Sequence, residues 1–394
     1  MRDSASVPVF DNVDRILVIK LRHIGDVLLT VPVFRALRER FPNARLTALV
    51  NRGTEEVLAG NPLVDEIIVY DRSIKQLGSM RKLSAEISFL RGIRARNFDM
   101  TVDLTSGDRP AIISFASGAR YRLAVEPKPG GLTAKRLLYT HLTKPNAALH
   151  TVLQNLQAVR PVGIASTWPV VDFFIPAAAR ERVRELFAAA GITLDKPLVH
   201  IHPTSRWLFK CWNDAAMAEV ISWLLGRGIQ VVVTSSPERK ELEKAARIME
   251  LVPQQDGLLT LLGKTNIKEL AAISEAADLF FGVDSAPMHI AAALNTPILA
   301  LFGPSGAFHW GPWANETAMN PGETSPYPAR SGTQSFGRHT VLQSAEECVP
   351  CGQDGCNGSK LSRCLEEISA EEVKRLLAGK LQKTGNRDSG TGNR

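Results

Sequence analysis

The chain reads as an α/β protein built on two doubly wound parallel sheets, and three observations carry that reading. Short apolar, β-branched runs alternate with amphipathic segments of helical period over residues 15–104, and the alternation starts again at residue 177. The runs are apolar throughout rather than at every second position, as in strands covered on both faces. At 394 residues there is room for two such domains, each with its own core.

In the first half, residues 15–20 (RILVIK) form a buried strand. The turn LRHIGD follows. In it Gly25 lets the backbone turn tightly, and Asp26 projects from the start of a helix as its N-cap or as a working carboxylate. Val27, Leu28, Val31, Phe34 and Leu37 recur at helical spacing; Pro32 either starts the regular part after Thr30 or kinks it. Residues 46–50 read as strand, 55–59 as a short helix, Asn61 and Pro62 as a turn, and 66–70 as strand. A basic amphipathic segment, 74–96, leads to strand 100–104. Residues 127–148 are rich in Pro, Gly and Lys and read as loop, 151–160 as helix, and 161–176 as the interdomain connection.

The second half opens with helix 177–190, closed by Gly191 as its C′ residue. Strand 198–202, helix 214–225, strand 230–234, helix 238–248, strand 258–262 and helix 267–275 follow, then strand 278–282. That strand feeds the stretch FFGVDSAPMHIAAALNTPILALFGPS: a buried strand, a sharp polar turn, a helix and a second buried strand. Asp284 or Ser285 at an N-cap, with Pro287 in the first turn, is how a helix N-terminus is written. The free N–H groups and positive dipole of such an end attract phosphates. His289 sits in the same turn. The stretch is an ordinary βαβ unit at the least; at the most it crowds a carboxylate, a hydroxyl and an imidazole at a phosphate-seeking end. The domains expected are 1–175 and 176–382, with the polar, Gly/Ser/Asn-rich residues 383–394 as a disordered tail.

A hydrophobic share of 44% with 22% charged residues is that of a soluble globular protein. No apolar run approaches the roughly 18 residues of a membrane span. The start, MRDSASVPVFDNVD, carries acids and no apolar core, so no secretory signal is expected and the cytoplasm is the expected compartment. The net charge of +7 comes from scattered Lys and Arg, which argues against nucleic acid and suits an anionic substrate or membrane surface. Cys348, Cys351, Cys356 and Cys364 are spaced C-x2-C-x4-C-x7-C among glycines. In a reducing compartment they are either a metal site or a knot of free thiols, and the spacing matches no zinc pattern well.

Open α/β sheets bind ligands at the carboxyl ends of their strands. After the first strand come Arg22, His23, Gly25 and Asp26; the turn is not G-x-G-x-x-G, which argues against a nicotinamide dehydrogenase. After strand 198–202, Thr204, Ser205 and Lys210 offer hydroxyls and a point charge to a diphosphate, unless they form a plain surface loop. His200 and His202 alternate along that strand, so only one is expected to face a cleft. After strand 230–234, Glu238 and Glu241 are rival carboxylates for a ribose. Gly263 permits close approach of a flat base or simply makes a turn.

Together, KLRHIGDVLLTVPVFRALRERFP and the 280–305 stretch, with HPTSRWLFKCW and TSSPERKELEKA between them, resemble glycosyltransferase family 9 over residues 14–375. These are the ADP-heptose:lipopolysaccharide heptosyltransferases. The C-terminal CVPCGQDGCNGSKLSRCLEEIS is most similar to the branch that adds the third heptose of the inner core. The resemblance implies a GT-B architecture, two Rossmann-like domains facing across a cleft. It places the donor, ADP-L-glycero-D-manno-heptose, on the C-terminal domain and the lipid A–Kdo–heptose core acceptor on the N-terminal one. It also implies inverting displacement with no metal or cofactor, and peripheral contact with the cytoplasmic face of the inner membrane.

Residue by residue, Asp26 is similar to the family's general base, and Thr204, Ser205 and Lys210 match its diphosphate loop. Lys210 and the helix end Ser285, Ala286, Pro287 and His289 would stabilise the departing ADP. Glu241 takes the ribose, Gly263 the base, and Asp284 the heptose hydroxyls. Arg22, His23, Gly25 and Arg109 fall on the acceptor side. Arg22 and His23 stand where related first-step enzymes carry small hydroxyl residues, so a different acceptor is implied, and a basic residue fits a phosphorylated sugar. Arg52, Arg72, Arg109, Arg120 and Arg122 are further candidates for an anion-binding rim, though any one of them is more readily an ordinary surface arginine. The near alternative is the same chemistry at the first or second heptose, or with another nucleotide-linked sugar; a non-catalytic nucleotide-sugar-binding protein of the same fold is the competing class.

Overall fold

The computed structural model describes residues 10–76, 78–127, 130–132, 134–164, 168–316 and 325–385. Its contacts divide the chain into two compact units that meet between Phe174 and Ile175.

The first unit runs β1 (Arg15–Lys20), α1 (Ile24–Leu28), α2 (Val31–Arg40), β2 (Arg45–Asn51), β3 (Glu66–Tyr70), α3 (Ser79–Arg94), β4 (Met100–Asp103), α4 (Asp108–Ala116), β5 (Tyr121–Val125), β6 (His141–Thr143) and α5 (Thr151–Leu156). The strands pair in parallel in the order β3-β2-β1-β4-β5-β6. The chain builds outward from β1 in one direction and then in the other, leaving a crevice between the carboxyl ends of β1 and β4. Ile93 of α3 and Ile113 of α4 join Leu17, Ile19, Leu49 and Phe98 in one buried cluster, so both helices cover the same sheet face.

The segment after β1 is two helices rather than one. The Thr30 hydroxyl bonds back to the Val27 carbonyl at 2.6 Å, and Pro32 falls in the first turn of α2, where its missing N–H costs nothing. Pro32 therefore starts a helix and does not kink one. Gly25 lies inside α1 with no left-handed φ, so it does not make the tight turn expected of it. Residues 127–148 are not all loop. They contain a 3-10 turn, Lys135–Leu138, and the edge strand β6, three residues long and too short to leave a periodic signal.

The second unit runs α6 (Ala177–Ala189), β7 (Leu198–His202), α7 (Asp214–Leu225), β8 (Gln230–Ser235), α8 (Arg239–Glu250), β9 (Leu258–Leu262), α9 (Ile267–Ala276), β10 (Leu279–Val283), α10 (Ala286–Ala293), β11 (Ile298–Phe302), α11 (Ala307–Trp310), β12 (Gly332–Phe336), β13 (His339–Gln343), α12 (Arg363–Glu366) and α13 (Ala370–Gly385). Its sheet order, β12-β13-β11-β10-β7-β8-β9, repeats the first winding with one antiparallel strand, β12, added at the edge. The switch point here lies between β7 and β10. Gly282 makes that pair possible, since a Cβ there would stand 2.6 Å from the His202 carbonyl oxygen.

The C-terminal segment is built into this unit. The Trp212 indole donates to the Ile368 carbonyl at 3.0 Å, Ser362 donates to the Phe209 carbonyl at 2.5 Å, and α13 packs on α7. The backbone stays helical to Gly385, so residues 383–385 are not the start of a disordered tail; residues 386–394 lie outside the described residues. No described helix is long and apolar enough to cross a membrane.

Candidate functional site

Both switch points carry the polar residues singled out above. In the first unit β1 ends in Lys20, whose side chain is buried. Its ammonium donates to the Leu104 carbonyl at 2.9 Å and to Asn155 Oδ1 at 3.0 Å. Burial pulls its pKa down to about 8; the nearby carboxylates Asp26 and Asp103 pull upward and Arg22 pushes further down. Asp103, at the end of β4, is fully buried, and burial raises its pKa against hydrogen bonds from Tyr139 and from the Thr105 and Ser106 amides. Asp26 is half-buried in the first turn of α1. It is not an N-cap: His23 holds that position, and Asp26 Oδ2 accepts the His23 N–H at 3.3 Å. A carboxylate oxygen thus stands at the carboxyl edge of β1 over a buried ammonium. Arg22 is exposed beside it.

The five candidate rim arginines are held in different ways. Arg109 pairs with Glu86 at 2.6 Å and lies 4.9 Å over the Tyr70 ring; Arg52 pairs with Asp71 at 2.9 Å; Arg122 donates to the Leu138 and Ala119 carbonyls. Arg120 lies over the Tyr121 ring, and Arg72 is exposed with no ion pair among the described residues. Arg109 and Arg122 are drawn into the fold, whereas Arg52, Arg72 and Arg120 stay at the surface.

In the second unit Asp284 follows β10 and is 5% exposed. Its Oδ2 accepts Lys210 Nζ at 2.6 Å and the Ser305 hydroxyl. Burial pushes the carboxyl upward, but the Lys210 charge, the hydrogen bonds from Lys210 and Ser305, and His289 together hold it below its ordinary value. Ser285 is the N-cap of α10, with its hydroxyl buried and without a partner among the described residues. Ala286 and Pro287 follow in the first turn, and the His289 ring lies 6.5 Å from that of Trp310.

After β7, Thr204 is fully buried and donates to Glu241 Oε2 at 2.9 Å; burial raises the Glu241 pKa, with the Thr204 and Ser236 hydrogen bonds opposing. Glu241 is buried, whereas its rival Glu238 is exposed at the N-cap of α8. Ser205 is buried, its N–H directed at the Cys211 sulfur at 3.3 Å. Gly263 has φ +64°, and a Cβ there would come within 2.9 Å of Leu242. Both histidines of β7 point the same way, contrary to expectation: two residues apart on a strand is one face. His200 Nε2 and His202 Nδ1 share the Thr234 hydroxyl at 2.8 and 2.9 Å, and burial drives both imidazoles to the neutral form.

Residues 87–339 match the model of glycosyltransferase family 9 (heptosyltransferase). The chain belongs to that family. It is 34% identical over 295 residues to lipopolysaccharide heptosyltransferase 3 of Escherichia coli, covering 75% of this chain and 85% of that one. Its fold matches the family 9 glycosyltransferase from Veillonella parvula with a TM-score of 0.74 at 22% identity, covering 95% and 98% of the two chains. It matches E. coli ADP-heptose lps heptosyltransferase II with a TM-score of 0.70 at 18% identity, over 94% and 99%. The chain is thus a glycosyltransferase of GT-B architecture, and its resemblance to the third-heptose branch agrees with the first of these relatives.

In this family 9 chain, sequence patterns missed Lys20, Asp103 and Ser305. Lys20 left one signal, a cation ending an otherwise apolar strand. The four clustered cysteines form no disulfide: Cys348, Cys351 and Cys356 are exposed and Cys364 is buried. Burial and the neighbouring thiols push the Cys364 pKa up to about 11. No group of three or more His, Cys, Asp or Glu among the described residues is arranged to hold a metal.

Proposed function

We propose that this glycosyltransferase moves L-glycero-D-manno-heptose from ADP-heptose to an inner-core heptose of lipopolysaccharide, as the third heptose on a side branch. One observation carries the donor half of the reading: the unpartnered Ser285 hydroxyl sits at the N-terminus of α10, beside the Asp284–Lys210 pair. A helix end with free amides, a spare hydroxyl and an adjacent ammonium suits a diphosphate. Glu241 accepts from the ribose with one oxygen while Thr204 holds the other. Gly263 flanks the base, Ser205 lines the loop, and Asp284 meets the heptose hydroxyls.

Chemistry is a direct displacement. The acceptor hydroxyl oxygen forms a bond to the anomeric carbon, the bond to the diphosphate oxygen breaks, and ADP leaves with the electron pair. The configuration inverts, no metal takes part, and Asp26 receives the hydroxyl proton. Lys210 and the α10 amides offset charge growing on ADP. Arg22, His23 and Gly25 line the acceptor side; Arg109 acts there by orienting α4 through Glu86. The acceptor is lipid-linked, so the enzyme meets it at the cytoplasmic face of the inner membrane.

Mass spectrometry of core oligosaccharide from a strain lacking this protein tests the assignment. Loss of one side-branch heptose supports it. A core truncated at its first heptose, or an unchanged core, overturns it.

A further inference from the structure

We propose that α3, α4 and the 3-10 turn Lys135–Leu138 form a face that docks on an anionic phospholipid bilayer. The inference rests on the lipid-linked acceptor proposed above and deepens it by naming the docking surface.

The face begins with α3. Its buried side sends Ile93 into the sheet, while Met80, Leu83 and Ile87 stand exposed at 83, 58 and 40%. Their spacing of three and four residues puts them in one stripe along the helix. The neighbouring α4 packs against α3 and repeats the arrangement: Ile113 is buried, and Ile112 and Phe115 are exposed at 44 and 55%. The 3-10 turn packs on α4 and adds Leu137, 79% exposed. Scattered single apolar residues on a surface mean little, but six on three touching elements form a patch that water disfavours.

Charge decides the occupant. α3 carries Arg81, Lys82, Arg91 and Arg94 against one acid, Glu86, and Glu86 is already bonded to Arg109 and to the Tyr70 hydroxyl. Arg81, Lys82 and Arg91 are exposed and flank the apolar stripe. Apolar side chains bordered by arginine and lysine match the boundary between acyl chains and anionic headgroups. A second copy of this chain would set these cations against their own kind. No described helix is built to span, so the contact lies on the surface.

The topology gives the face a purpose. α3 follows β3, and α4 follows β4, so both helices start at the carboxyl edge of the first sheet, where Asp26 stands at the end of β1. A bilayer against Met80 and Leu83, near the start of α3, presents a lipid-anchored sugar to that edge.

Co-sedimentation of the full chain with vesicles tests this, using phosphatidylcholine alone and phosphatidylcholine with roughly a third phosphatidylglycerol, enough for a negative surface. Binding is expected to the anionic vesicles only and to weaken at high salt. Leu83→Glu with Phe115→Glu, and separately Arg81→Glu with Lys82→Glu, should each cut the bound fraction about tenfold, the loss expected of a surface held by both apolar and charged contacts. Melting temperature and transfer to a delipidated core oligosaccharide should stay at the parent level. Equal binding by parent and variants, or no binding by the parent, overturns the proposal. So does a dimer that the variants dissociate without changing vesicle binding. Failure of transfer to the soluble acceptor, with vesicle binding intact, instead overturns the heptosyltransferase reading.

Discussion

Lys210 Nζ lies 2.6 Å from Asp284 Oδ2, the same oxygen that accepts the Ser305 hydroxyl. Seventy-four residues of chain separate the pair, and the fold joins them across the switch point between β7 and β10. Lys210 is therefore not a loose cation awaiting phosphate; it already neutralises a buried carboxylate.

Removing one member leaves the other exposed to the cost of burial. Lys210→Ala is expected to destabilise the protein by about 2–3 kcal/mol, at the low end for a buried pair because the lysine is partly solvated. ADP affinity should drop tenfold or more. A double-mutant cycle of Lys210→Met and Asp284→Leu, read by urea denaturation, should show strong coupling; simple additivity would contradict the pairing.

Asp26→Asn preserves the shape of the first turn of α1 and removes the carboxylate proposed to accept the proton. Turnover is expected to fall by about 10²–10⁴-fold, the usual range for a general base. Donor affinity by calorimetry should not change. Weakened donor binding would place Asp26 on the wrong substrate, and unchanged turnover would leave the chain a binding protein.

Glu241→Gln keeps an oxygen for the Thr204 hydroxyl but loses the carboxylate charge. Parent enzyme should prefer ADP over its 2′- and 3′-deoxy analogues by roughly tenfold, the value of one charge-assisted hydrogen bond. The variant should lose that preference. A variant that discriminates as well as the parent would remove Glu241 from the ribose.

Acid should loosen the second unit through its histidines. His202 is held neutral by burial, with its pKa lowered from 6.5 to about 3, and His339 likewise. Below 6.5 the unfolded chain binds protons that the folded chain refuses, so stability is complete above that value and falls as pH drops toward 3. The slope is up to about 1.4 kcal/mol per pH unit for each histidine. Urea denaturation across this window should show a shallower slope for His202→Leu. Lys20 acts at the other end: with a folded pKa of about 8 against 10.5, it makes stability rise with pH across that interval.

Much of this architecture was readable because buried parallel strands are unbroken apolar runs; residues 66–70, 198–202 and 258–262 coincide with β3, β7 and β9. What escaped was short or cooperative. β6 has three residues and gains its identity only by pairing with β5. At the strand ends, capping chemistry is local, and it announced Ser285 as the N-cap of α10. Pairings were not readable. Lys20 meets Asn155 over 135 residues of sequence, and Thr204 meets Glu241 over 37; no local pattern encodes either. The same-face placement of His200 and His202 was available from strand geometry alone.

The ties between residues 209–213 and the C-terminal segment bear on the order in which this protein is made. Phe209 and Trp212 are held by Ser362 and Ile368, and Asn213 by Glu366 at 2.6 Å. A nascent chain that has not yet released residues 362–368 has every strand of both described sheets but lacks the contacts that fasten the loop carrying Lys210. Such distant contacts form late in any case. The first unit can thus mature well before the loop that carries Lys210 is fastened in the second.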